Sequence, residues 1–219
     1  MDEYDKEHIK KGEKMKKGFV IASAGLAAAL LMSTAAFAGT WELNSRQGWQ
    51  YRQDDGSYAR NGWSFINGVY YYFDENSYML AGEATPDGYI VGANGAWLPD
   101  QTPADLSAGI YQAIQDISDY YGWDMRTNDY MTTETINSGN GLYLSLTNGS
   151  KSGSFQYSLE YGTGTLTKTA PGTYKAEIAA DSDYTDFWVQ KVTSSKDYIF
   201  VKSEGEGDGG WCDTITYRK

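Results

Sequence analysis

From Gly141 onward, apolar and polar residues alternate with a period of two. Leu142, Leu144 and Leu146 are interleaved with Tyr143, Ser145 and Thr147, and beyond an Asn148-Gly149 loop Phe155, Tyr157 and Leu159 alternate again. Alternation of this kind sends one set of side chains to each face of a strand. Further strands are predicted at 173–179, 186–193, 197–202 and 212–217, giving an antiparallel sheet curled into a small barrel or sandwich. Just before this region the period changes. Thr102-Pro103-Ala104-Asp105 offers a capping hydroxyl, a proline at the first helical position and an acid at the third. Leu106, Ile110, Ala113, Ile114, Ile117 and Tyr121 follow at helical spacing, with Gly122 as a stop. The pattern predicts one amphipathic helix, about 103–121, packed on the sheet.

Residues 40–98 read differently, being rich in glycine and aromatics and poor in aliphatics. Asp55-Gly56, Asn67-Gly68, Asp87-Gly88 and Asn94-Gly95 are dipeptides suited to the positive φ angles of tight turns. Short aromatic runs lie between them: Trp49–Tyr51, Tyr70–Phe73 and Tyr89–Val91. Hairpins this small cannot bury a face alone, so they stack as a repeat array. The expected fold class is thus mainly β: an N-terminal array of short β-hairpin repeats, then an α+β domain of one amphipathic helix and an antiparallel sheet. The boundary is expected near 99–103, dividing hairpins at 39–99 from the second domain at 100–219.

Residues 1–38 have another character. Lys16 and Lys17 precede an apolar stretch from Phe19 to Met32, and Ala36-Phe37-Ala38 forms a small-x-small site before Gly39. This is the pattern of a cleaved secretory signal, with no stable membrane span left after cleavage. The alternative is an uncleaved N-terminal anchor. Met15, directly before the two lysines, reads as the natural start.

Charge and composition narrow the chemistry. The 219-residue chain has a formal net charge of −11. Residues 1–38 hold six lysines and five acids, leaving 12 basic and 24 acidic residues beyond them. That balance argues against nucleic-acid binding. The single histidine, His8, lies within the signal region, which removes Ser-His-Asp catalysis and His-ligated zinc from the rest. Cys212 is the one cysteine, so no internal disulfide forms. Asp181, Asp183 and Asp186, and likewise Glu204, Glu206 and Asp208, read as solvated strand connections rather than calcium sites. No catalytic residue, metal ligand or cofactor is implied. Carboxylate pairs across a sugar cleft would serve a hydrolase, but 24 acids yield such pairs by chance.

In the strand around Asn67–Asp74, NGVYYYFD, Tyr70 and Tyr72 share one face and Tyr71 and Phe73 the other. One pair is expected to pack and the other to face a groove with Trp63. The surrounding GWSFINGVYYYFDENSYMLAGE resembles the cell-wall-binding, or choline-binding, repeat of Gram-positive surface proteins, in Trp63, Gly68, Tyr70 through Asp74, Met79 and Gly82. GWQYRQDDGSYARNGW and TPDGYIVGANGAW resemble the units that flank it. The resemblance covers about 40–98 and says nothing of the remainder. Three positions depart from it: Glu83 stands where a Trp would open the next repeat, Tyr70 replaces a Trp, and Ser77 replaces a Gly.

The resemblance implies a ligand cage of Trp63, Tyr70 and Tyr89 with Met79 beside them, and Trp49 in a partial second cage; strand alternation adds Tyr72. Aromatic walls of this kind hold cations through the ring face. The expected partner is a cell-wall polymer: choline-bearing teichoic acid, another teichoic acid, or a glycan. The expected protein is secreted, surface-associated and non-catalytic, and it displays a second domain whose role the sequence leaves open, as it does the oligomeric state. The alternatives are a small wall hydrolase using acids of the second domain, and a barrel carrying an apolar ligand.

Overall fold

A computed structural model describes residues 39–43, 48–124, 129–160, 162–178, 187–206 and 209–219. The expected signal segment, 1–38, lies outside the described residues, as do Asp181, Asp183, Asp186 and Asp208. Residues 39–219 form one compact unit.

Three short hairpins come first. Strand β1 (Thr40–Leu43) pairs with β2 (Trp49–Arg52), β3 (Gly62–Ile66) with β4 (Val69–Phe73), and β5 (Glu83–Ala84) with β6 (Ile90–Val91). Asn67 and Gly68 both take positive φ, 49° and 89°, the signature of the tight turn that matches strand twist. Backbone bonds tie each hairpin to the next. The Met79 N–H donates to the Trp49 carbonyl at 2.8 Å, and the Trp97 N–H to the Tyr70 carbonyl at 2.9 Å.

The larger part of the unit is a closed barrel. Its strands are β7 (Gly109–Asp124), β8 (Asp129–Asn137), β9 (Tyr143–Asn148), β10 (Ser154–Leu159), β11 (Gly162–Ala170), β12 (Thr173–Ile178), β13 (Phe187–Ser194), β14 (Tyr198–Glu206) and β15 (Gly209–Arg218). Every neighbouring pair is antiparallel, and β15 returns to pair with β7, closing a ring of eight. Strand β8 stands outside the ring, paired with the C-terminal half of β7. Leu144, Leu146, Leu166, Val192, Ile199 and Val201 fill the interior with Tyr174 and Tyr217. Each such side chain contributes about 1.5–3 kcal/mol by leaving water. The connection from the hairpins is fastened to the barrel. Gln101 Oε1 accepts from the Ser195 hydroxyl at 2.9 Å and the Asp197 N–H at 3.1 Å, and the Leu106 N–H donates to the Tyr174 hydroxyl at 3.0 Å.

The amphipathic helix expected over 103–121 is not there; among the described residues this stretch holds β7, and the fold is mainly β with no helix. The cause is a bulge. Thr216 faces Gln115 and Tyr217 faces Ala113, so Ile114 is an extra residue on β7. An extra residue flips every side chain that follows. Ala113 points into the barrel and Ile117, four residues on, is buried on the outer face beneath the hairpins. Two buried residues four apart imitate a helical stripe while facing opposite ways. Ile110 and Ile114, which the helix would have buried, are exposed.

Candidate functional site

Strand pairing fixes which rings meet. Trp63 lies opposite Tyr72 and Phe65 opposite Tyr70 across β3 and β4, so these four share one hairpin face. Tyr71 and Phe73 take the other face, where Phe73 is fully buried with Ala59 and Ile66. The alternation read from NGVYYYFD is present.

On the first face, the Trp63 ring meets Tyr72 at 5.3 Å between centroids, Tyr89 at 5.8 Å and Trp97 at 6.2 Å. Trp97 also meets Tyr70 and Tyr89, each at 5.9 Å, and Tyr70 leans on Phe65 at 4.7 Å. Most contacts are edge-to-face, the arrangement that the ring quadrupole favours. The Trp63 indole N–H donates to Asp87 Oδ2 at 3.0 Å, and Asp87 Oδ1 accepts from the Thr85 hydroxyl at 2.6 Å. Trp63 is thereby locked to the turn of the next hairpin. Four of the six expected ligand residues, Trp63, Tyr70, Tyr72 and Tyr89, are gathered here.

The other two, Trp49 and Met79, are elsewhere. They join Trp41 and Tyr71 around a cavity of about 310 Å³ that the outer face of the barrel completes with Ile117, Asp119, Glu134, Lys202, Cys212 and Thr214. Trp41 is the hub, with centroids 4.9 Å from Tyr71, 5.1 Å from Tyr51, 5.9 Å from Phe73 and 6.5 Å from Trp49. Gly95, at φ 76°, leaves room for the Met79 thioether, which any Cβ there would overlap. The expected grouping of Met79 with Trp63 is therefore not what the fold brings together. Trp41 and Trp97 were not singled out in the sequence. Trp97 stood at the end of TPDGYIVGANGAW as a repeat-closing ring, while Trp41 carried no motif.

The barrel side of the cavity is electrostatically uneven. Burial raises the Asp119 carboxyl to about 6, helped by the negative charge of Glu134, while the Trp49 indole N–H and Lys202 act the other way. Asp119 Oδ1 and Trp49 Nε1 are both buried and lie outside hydrogen-bond geometry with any partner. Burial pushes the Cys212 thiol up to about 11, which leaves it almost wholly protonated at neutral pH and a poor nucleophile. Lys202 is engaged by Glu83 at 3.2 Å.

Comparison with known proteins adds the following. No curated protein matches the chain. Among solved structures, it is similar to a multimodular pneumococcal cell wall endolysin from phage Cp-1 complexed with choline, at 21% identity over 68% of this chain and 39% of that one, with a TM-score of 0.26. The modular Cpl-1 endolysin complexed with a peptidoglycan analogue gives the same identity, coverage and score. The modular autolysin LytC from Streptococcus pneumoniae, in complex with a synthetic peptidoglycan ligand, matches at 17% over 74% of this chain and 31% of that one, with a TM-score of 0.25. The chain spans well under half the length of each, and scores this low establish no common fold. The segment from Ser57 to Trp97 is more definite. It carries the β3–β4 hairpin, the β5–β6 hairpin and the ring cluster between them, and residues 57–97 match the choline-binding repeat family.

Proposed function

We propose that the chain is exported, with cleavage before Gly39, and that residues 39–99 bind a cell-wall polymer through the face carrying Trp63, Tyr70, Tyr72 and Tyr89. The observation that carries this reading is the choline-binding repeat at 57–97, whose rings gather on one hairpin face with Phe65 51% exposed beside them. In this reading the wall ligand is choline-bearing teichoic acid, another teichoic acid or a glycan, and the barrel, residues 100–219, is a non-catalytic domain held at the cell surface. The interior packing of Leu144, Leu166, Tyr174 and Tyr217 speaks against a carrier that shelters an apolar ligand inside the barrel.

The test is retention of the full chain, processed by an exporting host, on purified walls before and after removal of teichoic acid. Retention that Trp63→Ala weakens supports the reading; a chain that does not sediment with either preparation refutes it. Loss on stripping assigns the ligand to teichoic acid, and persistence assigns it to glycan.

One observation favours a second reading, that of a hydrolase. Asp116 and Asp213 lie on the interior face of β7 and β15, diagonal to one another through the Asp116–Ile215 and Ser118–Asp213 pairs. Burial raises both carboxyls, Asp213 to about 6. Release of reducing ends from walls, abolished by Asp213→Asn, would replace the non-catalytic reading.

A further inference from the structure

We propose that the inner face of the barrel, where β14, β15, β7 and β8 run side by side, holds a calcium ion between Asp116 and Asp213, with the Ser203 hydroxyl as a further ligand. The proposal is independent of the wall-binding reading. It assigns the barrel a site of its own, and it gives the two carboxylates a different use from the acid and base of a hydrolase.

Three features lead to it. The first is pairing. Ser203 of β14 lies opposite Asp213 of β15, which lies opposite Ser118 of β7; one rung along, Asp116 lies opposite Asn137 of β8. All five share the face that Val201 and Ile215 present to the core. Residues diagonal across a strand pair stand about 7 Å apart, so each aspartate can set an oxygen at the roughly 2.3–2.6 Å that calcium takes, with the ion between them. The second is unmet oxygen. Asp116 Oδ1, Asp213 Oδ1 and Ser203 Oγ are all buried, and none has a hydrogen-bond partner among the described residues. Ser203 itself is wholly buried. Polar atoms left so are costly. The donors beside them are already engaged, Asn137 by Asp116 and Ser118 by Asp213.

The third is charge. The charge acting on Asp213 is that of Asp116, which has the same sign. Lys191 and Lys202, on the neighbouring strands, are turned to Glu83 instead. Two like carboxylates on one inner face call for a cation, and a set made only of oxygens calls for a hard one. The aliphatic packing of Val189, Val201 and Ile215 beside it suits a bare ion rather than a sugar ring. No group of three carboxylate, thiol or imidazole side chains converges among the described residues. That points away from a transition metal and to the weak end of calcium affinities, about 10⁻⁴–10⁻³ M. Asn137 is exposed, so the ion has a way in from the β8 side.

The experiment is calorimetric titration of the full chain, freed of metal with EDTA and dialysed, with calcium chloride and with magnesium chloride at equal ionic strength. Thermal melting is followed alongside. The expected result is saturable calcium binding at about 10⁻⁴–10⁻³ M, magnesium binding at least about tenfold weaker, and a melting temperature that rises with calcium. Asp213→Asn should abolish calcium binding. It removes a buried charge and should fold in EDTA at least as well as the parent, so the loss is not one of fold. Ser203→Ala should weaken binding about tenfold. Asp183→Asn and Asp208→Asn, in the two other acidic segments of the sequence, should leave it unchanged. Absence of saturable calcium binding, equal binding of magnesium, or full calcium affinity in Asp213→Asn or Ser203→Ala would each overturn the site. So would loss of binding in Asp183→Asn or Asp208→Asn, which would move the ion to that segment. Retention on walls does not pass through this site, so the two readings fall separately.

Discussion

Glu83, at the start of the last hairpin, forms a salt bridge to Lys202 on β14 at 3.2 Å, with Lys191 of β13 on its other oxygen. Only 12% of the Glu83 side chain is exposed. Burial opposes its ionisation, but the charges of Lys202 and Lys191 together hold the carboxyl below its usual range. This is the position where the repeat pattern expects a tryptophan to begin another unit. A carboxylate there instead docks the start of the last hairpin on the barrel. Close by, Gly82 at φ 60° brings the chain so near β14 and β15 that a Cβ would sit 2.6 Å from Thr214 Cγ2.

Removing one partner of a buried pair strands the others. Glu83→Gln should therefore cost about 3–5 kcal/mol in denaturant unfolding, more than a surface ion pair would. Because the Glu83 carboxyl is lowered on folding, its contribution is present above the ordinary glutamate range and is lost as pH falls through the folded value. A variant as stable as the parent at pH 7 would show that the pair holds nothing.

Ser77 stands where the repeat pattern has glycine, and it adopts φ 73°. A non-glycine residue held there costs of order 1–3 kcal/mol. Ser77→Gly should raise stability by about 1 kcal/mol, part of the relief being offset by the freer unfolded chain. Thermal melting decides it; a lower melting temperature would mean the serine hydroxyl contributes more than the strain removes.

The two faces of β4 should separate under mutation. Phe73→Ala empties a fully buried site and should cost about 3–5 kcal/mol of stability. Tyr70→Ala should leave folding nearly intact and weaken wall retention by about 1–3 kcal/mol. Equal loss of stability in both, with retention unchanged, would make the rings structural only.

Asp213 gives the opposite pH signature to Glu83. Its carboxyl is raised by burial from 3.8 to about 6, against a hydrogen bond from Ser118. The folded state thus binds the extra proton, so this stabilisation is complete below the unfolded value and disappears as pH rises through about 6. Across that window the change amounts to at most about 3 kcal/mol. Asp213→Asn should flatten the fall in stability between about pH 4 and 6 and melt higher than the parent at pH 7. An unaltered pH profile would place Asp213 in contact with solvent.

Local chemistry was legible in the sequence; distant pairing was not. The Asn67-Gly68 turn and the alternation of Tyr70 to Phe73 rest on neighbouring residues, and both are found as read. The β7 segment was misread because the bulge at Ile114 is set by its partner β15, about a hundred positions along the chain. Two strands of the sheet, β8 beside the barrel and β11 within it, carry no apolar stripe to reveal them: DYMTTETIN and GTGTLTKTA are rich in threonine instead. Glu83 was visible as a departure, but its lysines lie 108 and 119 positions away. The resemblance sets Met79 beside the Trp63 cage and Trp49 in a partial second one; in the fold both line a cavity whose other wall the barrel supplies, which no local pattern announces.

The return of β15 onto β7 has a consequence for how the molecule opens. A ring of eight has no terminal strand to peel away, so its central amides are expected to exchange with solvent in one concerted event governed by global unfolding. Strand β8, held along one edge by β7, is free of that constraint among the described residues. Its amides should exchange first, leaving the barrel shut.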